Sequence, residues 1–370
     1  MPFPALQIGA LKADTPIVQG GMGVGISLSG LASAVANEGG IGVIAGAMIG
    51  MTQKDVAQNP LEANLRALRE EIQKAREQTS GLIGVNIMVA LTTFAQMVRT
   101  AIENKIDFIF SGAGLPLDMP RHLREVCEEK KEEFKTKLVP IISSARAATV
   151  IAKKWLSRFD YLPDAFVLEG PKAGGHLGFK PEEIDNPAFS LEQLLPQVVD
   201  AVKPFEDKYG RAVPVIAAGG VYSGEDIYRC LSLGASGVQM GTRFVATHEC
   251  DADDNFKQAF IHAKKEDVTI INSPVGMPGR AIHNDFIDQV RKGLTKPFKC
   301  IFHCVKTCNQ ENTPYCIARV LLNAMRGKLE NGFAFCGANV FRVDSILSVH
   351  ELIESLRQEF EEASRSLNKK

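Results

Sequence analysis

Eight short apolar segments alternate with longer amphipathic segments along most of the chain. The apolar segments lie at residues 15–19, 41–46, 82–88, 107–111, 137–143, 165–170, 213–218 and 236–240. Between them, stretches such as 61–78 and 91–104 have the charged and apolar spacing of surface helices. Strand–helix alternation is typical of a parallel sheet, and eight repeats predict an α/β fold, a closed (β/α)₈ TIM barrel.

An open, doubly wound α/β sheet is the alternative fold. It is disfavoured because no G-x-G-x-x-G follows the first strand with an acidic residue about 20 positions further on. After residue 247 the pattern becomes helical and irregular, up to a charged helix near 349–366. We therefore predict a barrel over residues 1–250 and an extension over 251–370, whose additional C-terminal helices cover the barrel mouth.

Residues 213–247 contain two predicted strands that each end in a glycine turn. The first strand is followed by Gly219 and Gly220, and the second by Gly241 and Thr242. Between them, Ser223 precedes acidic residues, as at the start of a helix. Glycine turns expose backbone N–H groups, and the loops after strands 7 and 8 of a barrel commonly bind a phosphate. The segment predicts a cofactor that carries a phosphate.

The residues that follow the other predicted strands are also mostly small, and six of the eight turns after strands are rich in glycine. Turns after strands often contain glycine for backbone reasons alone. A planar cofactor lying close to the backbone explains the whole set better. The candidate contacts outside the phosphate turns are Gln19, Gly20, Gly21, Met22, Asn86, Gly174 and Gly175.

One strand end carries a strong acid–base group. His176 follows Gly174 and Gly175 in the segment 169–179, and histidine titrates near neutrality. A loop histidine bonded to backbone is the simpler interpretation, but the flanking glycines favour a backbone close to a ligand. We predict that His176 is catalytic, and we interpret Glu169 and Lys172 as rim charges.

Four segments together resemble the nitronate monooxygenase family, formerly called 2-nitropropane dioxygenases, which is related to flavin-dependent enoyl-acyl-carrier-protein reductases. They are TPIVQGGMGVGISLSGLASAVANEGGIGVIAG, FIFSGAGLP, EGPKAGGHLG and PVIAAGGVYSGEDIYRCLSLGASGVQMGTRF, and SPVGMPGRAIHNDF continues the match. The resemblance implies a TIM barrel at residues 1–250 that binds FMN without a covalent bond. It places the phosphate on Gly219, Gly220, Gly241 and Thr242, the flavin ring on the other candidate contacts, and catalysis on His176. Lys172 departs from the family, where an acidic residue is frequent.

The resemblance leaves the reaction open between two flavin chemistries. In the first, an alkyl nitronate or nitroalkane is oxidised with O₂ to a carbonyl compound and nitrite. In the second, NAD(P)H reduces the flavin, which then reduces an enoyl thioester. A third hypothesis is a barrel that binds a phosphorylated ligand without redox chemistry.

Four cysteines are clustered in the predicted extension, namely Cys300, Cys304, Cys308 and Cys316. On a helix the first three would share one face. Thiolates so close could bind zinc or an iron–sulfur cluster, although the spacing fits neither standard pattern well. Reduced thiols on a buried helix are the simpler interpretation, and a redox disulfide is a third.

Charge and hydropathy limit the kinds of partner and the cellular location that we expect for this protein. With 42 basic and 43 acidic residues the net charge is −1, which favours neither nucleic acid nor a membrane surface. No apolar run reaches the length of a membrane span, and residues 1–16 lack the pattern of a secretory signal. We expect a cytoplasmic protein that acts on a small molecule, and the sequence leaves a homodimer open.

Overall fold

The computed structural model describes residues 2–294 and 298–367, so residues 1, 295–297 and 368–370 of the predicted barrel and extension lie outside the described residues. The strands are β1 (Leu6–Ile8), β2 (Leu11–Ala13), β3 (Ile17–Gln19), β4 (Ile41–Ala45), β5 (Leu82–Asn86), β6 (Phe108–Ser111), β7 (Lys137–Ile142), β8 (Phe166–Glu169), β9 (Gly175–His176), β10 (Val215–Ala218), β11 (Gly237–Met240), β12 (Val268–Asn272) and β13 (Pro278–Ile282).

The α-helices are α1 (Ser29–Asn37), α2 (Pro60–Gln78), α3 (Phe94–Glu103), α4 (Met119–Lys130), α5 (Ala145–Phe159), α6 (Leu191–Tyr209), α7 (Gly224–Ser232), α8 (Thr242–Val245), α9 (Asp254–His262), α10 (Asp285–Arg291), α11 (Ile317–Met325) and α12 (Val349–Leu367). Short 3₁₀ helices lie at Ile49–Thr52, Pro181–Glu183, Pro187–Phe189, Lys265–Asp267, Gln310–Asn312, Leu329–Asn331 and Val340–Arg342.

The predicted eight-stranded barrel is confirmed. Its strands are parallel and follow the closed order β3-β4-β5-β6-β7-β8-β10-β11, with β11 pairing back to β3. Each barrel strand lies within one of the eight apolar segments, and the intervening helices pack outside. This arrangement buries both faces of every strand, which is why the segments read as continuous apolar runs.

The barrel interior is filled by side chains at its amino-terminal end. Phe108, Phe110 and Val167 from barrel strands form one buried cluster with Leu6 and Ile8 of β1. The β1–β2 hairpin therefore closes the bottom of the barrel. Since this end is packed solid, an open cavity is left at the carboxyl ends of the strands, where barrel enzymes place their chemistry.

Local sequence signals position α7 between the two phosphate-turn candidates. The Ser223 hydroxyl accepts a hydrogen bond from the Asp226 backbone N–H at 3.3 Å, and the Asp226 carboxylate accepts one from the Ser223 N–H at 3.0 Å. This reciprocal pair is a capping box. It confirms the helix start predicted at Ser223 and fixes the entry of α7 directly after the turn that follows β10.

The extension after residue 250 contains helices α9 to α12, but it is not wholly helical. Strands β12 and β13 form a hairpin, and β13 pairs antiparallel with β9 beside the barrel mouth. The sequence analysis missed this hairpin. Its signal was the run VTII at 268–271, rich in β-branched residues, followed by Gly276 at a positive φ of 83° in the turn.

None of the helices within 2–294 and 298–367 combines the length and apolar character needed to cross a lipid bilayer. The cytoplasmic location and the homodimer stay predictions from the sequence.

Candidate active site

A cavity of about 290 Å³ lies at the carboxyl ends of the barrel strands. Residues from all eight strand ends line it, namely Gly20, Ala45, Asn86, Gly112, Ile141, Glu169, Ala218 and Met240. Four of these eight residues are glycine or alanine, so a flat ring could lie close to the backbone there. The planar ligand that the strand ends predict stays a prediction.

Nearly all predicted site residues meet in this cavity. Its lining includes Gly20, Gly21, Met22, Asn86, Gly174, Gly175, His176, Gly219, Gly220, Gly241 and Thr242. Gln19 is the exception. Its side chain is fully buried inside the barrel wall, where its amide oxygen accepts a hydrogen bond from the Val43 N–H at 3.0 Å. Gln19 thus ties β3 to β4 and supports the cavity floor rather than lining the cavity.

The two predicted phosphate turns lie side by side, because β10 and β11 are neighbours. Gly219 and Gly220 have positive φ angles of 89° and 97°, which glycine adopts without strain. Gly241 is followed directly by the short helix α8, which begins at Thr242. Glycine loops after the last two strands and a short extra helix are the elements that bind phosphate in this fold.

A segment of the extension covers these turns. The Asn339 side-chain amide donates to the Gly220 carbonyl at 2.7 Å. The Gly337 N–H donates to the Thr242 hydroxyl at 2.9 Å, and the Ala338 N–H donates to the Lys172 carbonyl at 3.1 Å. Residues 335–339 also line the cavity. The extension therefore forms part of the site, and the FCGAN motif was the signal that sequence analysis overlooked.

Strand pairing holds His176 in place. In the ladder between β9 and β13, His176 lies opposite Gly279. The buried Arg280 guanidinium donates to the carbonyls of Pro171 and Ala173, both at 2.6 Å. These contacts fix the loop that carries the imidazole, so the hairpin missed in the sequence is what orients the predicted catalytic residue.

The His176 imidazole has a polar partner and an aromatic neighbour. Its Nε2 and the Ser273 hydroxyl oxygen lie 2.7 Å apart and share a hydrogen bond. The Phe335 ring packs edge-on, with ring centroids 5.0 Å apart. Burial lowers the pKa of His176 to about 4, because an enclosed site disfavours the charged imidazolium. At neutral pH the imidazole is uncharged and can accept a proton. Ser273 was not singled out in the sequence.

Glu169 and Lys172 both line the cavity, where Glu169 is half-buried and Lys172 is exposed. Burial alone raises the pKa of Glu169 to about 7, so at pH 7 about half of the molecules carry a proton on this carboxyl. A Cβ atom built on Gly220 would lie 2.8 Å from Cβ of Lys172. The aliphatic part of the Lys172 side chain thus packs against one of the predicted phosphate turns.

The cysteine cluster does not lie on a helix, which corrects the sequence prediction. Cys300, Cys304 and Cys308 occupy an irregular segment, and Cys316 immediately precedes α11. Val305 instead forms an antiparallel bridge with Leu91. This segment contains cysteine, histidine and threonine, which are weak helix formers. Pairing with Leu91 is therefore favoured over a helix. Within the described ranges the thiols are free, and no three His, Cys, Asp or Glu side chains surround one metal ion.

The fold is a (β/α)₈ barrel with a cavity at the carboxyl ends of its strands, which is where enzymes of this fold bind their ligands. Residues 5–359 match the profile of a family described as nitronate monooxygenase. A probable nitronate monooxygenase of Staphylococcus aureus is 30% identical over 310 residues, which cover 76% of this chain and 78% of that protein. A protein of the same description from Staphylococcus haemolyticus is 28% identical. The chain belongs to the nitronate monooxygenase family.

Solved structures agree with this assignment. FabK from Thermotoga maritima superposes with a TM-score of 0.72 at 27% identity, over 96% of this chain and 95% of that one. A nitroalkane oxidase from Streptomyces ansochromogenes gives 0.71 at 22% identity, over 97% and 98% of the two chains, and shows the shared fold. The protein is thus an FMN-dependent type of oxidoreductase rather than a non-redox binding barrel.

Proposed function

We propose that the protein oxidises alkyl nitronates and nitroalkanes with O₂ to carbonyl compounds and nitrite. The observation that carries this proposal is the half-buried imidazole of His176, uncharged at neutral pH, at a cavity formed by eight strand ends. A neutral imidazole within reach of a bound nitroalkane can act as a general base and remove its α-proton. Family membership supports the same chemistry.

The residues present fit FMN, and we propose that they hold it. Gly219, Gly220, Gly241 and Thr242 offer backbone N–H groups and a hydroxyl to the phosphate, with Lys172 beside the turn as a cation. Gly20, Gly21, Met22, Asn86, Gly174 and Gly175 would contact the ring, and protonated Glu169 could donate a hydrogen bond. The bound flavin supplies the electron-transfer chemistry.

The protein groups around His176 have distinct tasks in this proposal. Ser273 shares a hydrogen bond with Nε2 and so sets the direction of the imidazole. Phe335, Phe260 and Leu321 line the cavity from the side of the extension and exclude water. Exclusion of water strengthens electrostatic interactions with an anionic nitronate. His176 takes the α-proton from a neutral substrate, or lies beside the negative charge of a nitronate supplied as such.

Product analysis tests the proposal directly. We expect purified, FMN-loaded protein with an alkyl nitronate in air to release nitrite and carbonyl compound in equal amounts. Without O₂, nitrite release should stop. Production of neither compound, from a yellow and folded protein, would refute the proposed reaction.

Reduction of enoyl thioesters with NAD(P)H is the second candidate. It is favoured by a second cavity of about 540 Å³, which contains Ser273 in its wall and therefore adjoins the His176 site. Phe286, Val290 and Phe333 give this cavity an apolar side that would accept an acyl chain. In anaerobic buffer, rapid flavin bleaching by NAD(P)H supports the reductase, and slow or absent bleaching supports the monooxygenase.

The pKa of His176 predicts an acid-shifted rate profile. Because burial lowers that pKa from 6.5 to about 4, the base stays unprotonated through mildly acidic pH. We expect kcat/KM for a neutral nitroalkane to keep its plateau below pH 6 and to fall near pH 4. In the unfolded chain His176 binds a proton below about pH 6.5, whereas in the folded protein it does so only below about pH 4. The free energy of unfolding therefore decreases as the pH falls from 6.5 to 4, because the unfolded chain is stabilised by this proton. An acid limb at 6.5 would contradict the assignment.

A further inference from the structure

A second cavity, of about 540 Å³, is lined by the β12–β13 hairpin, helix α10 and the segment before α11. Its volume is within the range of small-molecule sites in proteins. The oxidation of nitronates proposed above needs only the cavity at the carboxyl ends of the barrel strands. That reaction leaves the second cavity free for another ligand.

Three aromatic rings form one side of the second cavity. The rings of Phe286 and Phe333 are stacked, with centroids 6.2 Å apart. Tyr315 meets these two rings edge-on, at 5.6 Å and 5.9 Å, and all three residues line the cavity. Aromatic rings make favourable offset and edge-on contacts with further rings. This side of the cavity therefore suits a ligand with an aromatic body.

The Tyr315 hydroxyl is a buried polar group without a partner. The residue is 6% exposed, and within residues 2–294 and 298–367 its hydroxyl makes no hydrogen bond. Protein atoms do not enclose the oxygen completely, so it is reached from the cavity that the residue lines. Buried hydroxyls normally have a hydrogen-bond partner, because leaving one unpaired costs free energy. Tyr315 thus offers a hydrogen bond to a polar atom of a ligand deep in the cavity.

Arg291 supplies the charge of this cavity. Among the described residues that line it, no other side chain is ionised and none is acidic. Arg291 lies exposed at the end of α10, and its guanidinium donates to the Thr269 hydroxyl at 2.8 Å. A guanidinium has five N–H donors, so this bond leaves others for a planar carboxylate. The exposed side of the cavity therefore attracts an anion, whereas the aromatic side is uncharged.

The second cavity lies next to the predicted catalytic residue. Ser273 lines it and shares the 2.7 Å hydrogen bond with Nε2 of His176. Phe333 packs edge-on against Phe335 with centroids 5.1 Å apart, and Phe335 packs against His176 at 5.0 Å. A ligand in this cavity would therefore lie beside two residues, Ser273 and Phe333, that connect it to the imidazole. Its binding is independent of which reaction His176 serves.

We propose that the second cavity binds an aromatic carboxylate whose ring carries a hydroxyl or carbonyl group. The carboxylate pairs with Arg291 at the exposed side, and the ring lies against Phe286 and Phe333. The polar substituent of the ring bonds to the Tyr315 hydroxyl. An acyl chain would fit the apolar side, but it would leave that buried hydroxyl unpaired. The buried tyrosine and the exposed arginine together favour the aromatic acid.

Calorimetric titration of full-length, FMN-loaded protein tests the proposal. The probe is para-hydroxyphenylacetate, which is compared with phenylacetate, without the hydroxyl, and with para-hydroxyphenylacetamide, without the charge. We expect the probe to bind with a Kd of about 1 mM or tighter, as suits a ligand of this size, and the other two compounds to bind more weakly. No binding of the probe, or equal affinity for all three compounds, would overturn the proposal. No nitronate is present in these titrations, so failure here leaves the proposed oxidation of nitronates untouched.

Two variants each match one group of the ligand. Tyr315→Phe removes a hydroxyl that makes no hydrogen bond within the described residues, so the thermal unfolding temperature should not fall. It should weaken binding of the probe about twofold to tenfold and leave phenylacetate binding unchanged. Arg291→Gln should weaken both acids about twofold to fivefold, the contribution of an exposed ion pair, and leave the amide unchanged.

Two exposed residues supply the controls. Tyr209→Phe changes the last residue of α6, and Arg365→Gln changes a residue near the end of α12. Neither residue lines the cavity, so both variants should bind all three compounds with wild-type affinity. Wild-type preference for the probe over phenylacetate in Tyr315→Phe would overturn the assignment. Octanoate that binds as tightly as the probe, equally to the wild type and to Tyr315→Phe, would show that chain acids occupy the cavity instead.

Discussion

His176→Ala should lower the turnover of a neutral nitroalkane by about 10²–10⁴, the usual contribution of a general base. The substitution removes the imidazole that burial keeps uncharged and that Ser273 orients. Flavin should stay bound, because the predicted phosphate turns lie on β10 and β11. A nitronate prepared beforehand needs no deprotonation, so its turnover should fall less. Steady-state nitrite release with both substrate forms measures this difference.

A surface histidine supplies the control for this experiment. His350 lies in α12 and pairs with Glu38 at 3.0 Å, in an exposed position. His350→Ala should leave both turnover rates unchanged. If His176→Ala lowered the turnover of the nitroalkane and of the nitronate by the same factor, His176 would act on charge or on binding rather than on the α-proton. Unchanged turnover in His176→Ala would remove it from the mechanism.

Gly241→Val should lower the affinity for FMN by about tenfold to a hundredfold. This range corresponds to the loss of one hydrogen bond to a charged group, about 1.5–3 kcal/mol. The backbone at Gly241 has an ordinary φ of −123°, and a Cβ there would contact only Met22, at 3.4 Å from its sulfur. The fold should therefore tolerate the side chain, while the side chain excludes a phosphate. Flavin titration and thermal unfolding separate the two effects.

Gly241 is a better position than Gly220 for this test, because a valine at Gly220 would also disturb the fold. Gly220→Val would combine a φ of 97° with a contact of 2.8 Å to Lys172, so lost flavin could reflect disturbed folding. Gly210→Asn is the control, since this glycine ends α6 in open space and asparagine tolerates its φ of 60°. Full flavin affinity in Gly241→Val would show that the phosphate is bound elsewhere.

The extension shows why part of the site escaped prediction. The contact between Ser273 and His176 joins residues 97 positions apart, and the bond from Asn339 to Gly220 joins residues 119 apart. Neither pairing leaves a periodic pattern in the chain. A helix through Cys304, which the sequence also allowed, does not form for the same reason. Val305 pairs instead with Leu91, which is more than 200 residues away in the chain.

Gln19 illustrates the limit at a single residue. The sequence placed it at the end of a strand, and β3 does end there. Its side chain, however, points into the barrel wall and bonds to Val43, so it does not reach the cavity. Successive side chains along a strand point to opposite faces of the sheet. One residue of a strand can therefore face the cavity while its neighbour is buried in the barrel wall.

The sequence alone determined the barrel, the positions of its strands and the glycine turns at their ends, because these depend on local periodicity and on turn chemistry. It also placed His176 beside the cavity. Only the tertiary structure decided what surrounds His176, which residues cover the predicted phosphate turns, and that Cys300, Cys304 and Cys308 lie outside any helix. Those features arise from contacts between distant segments, and packing rather than local preference selects them.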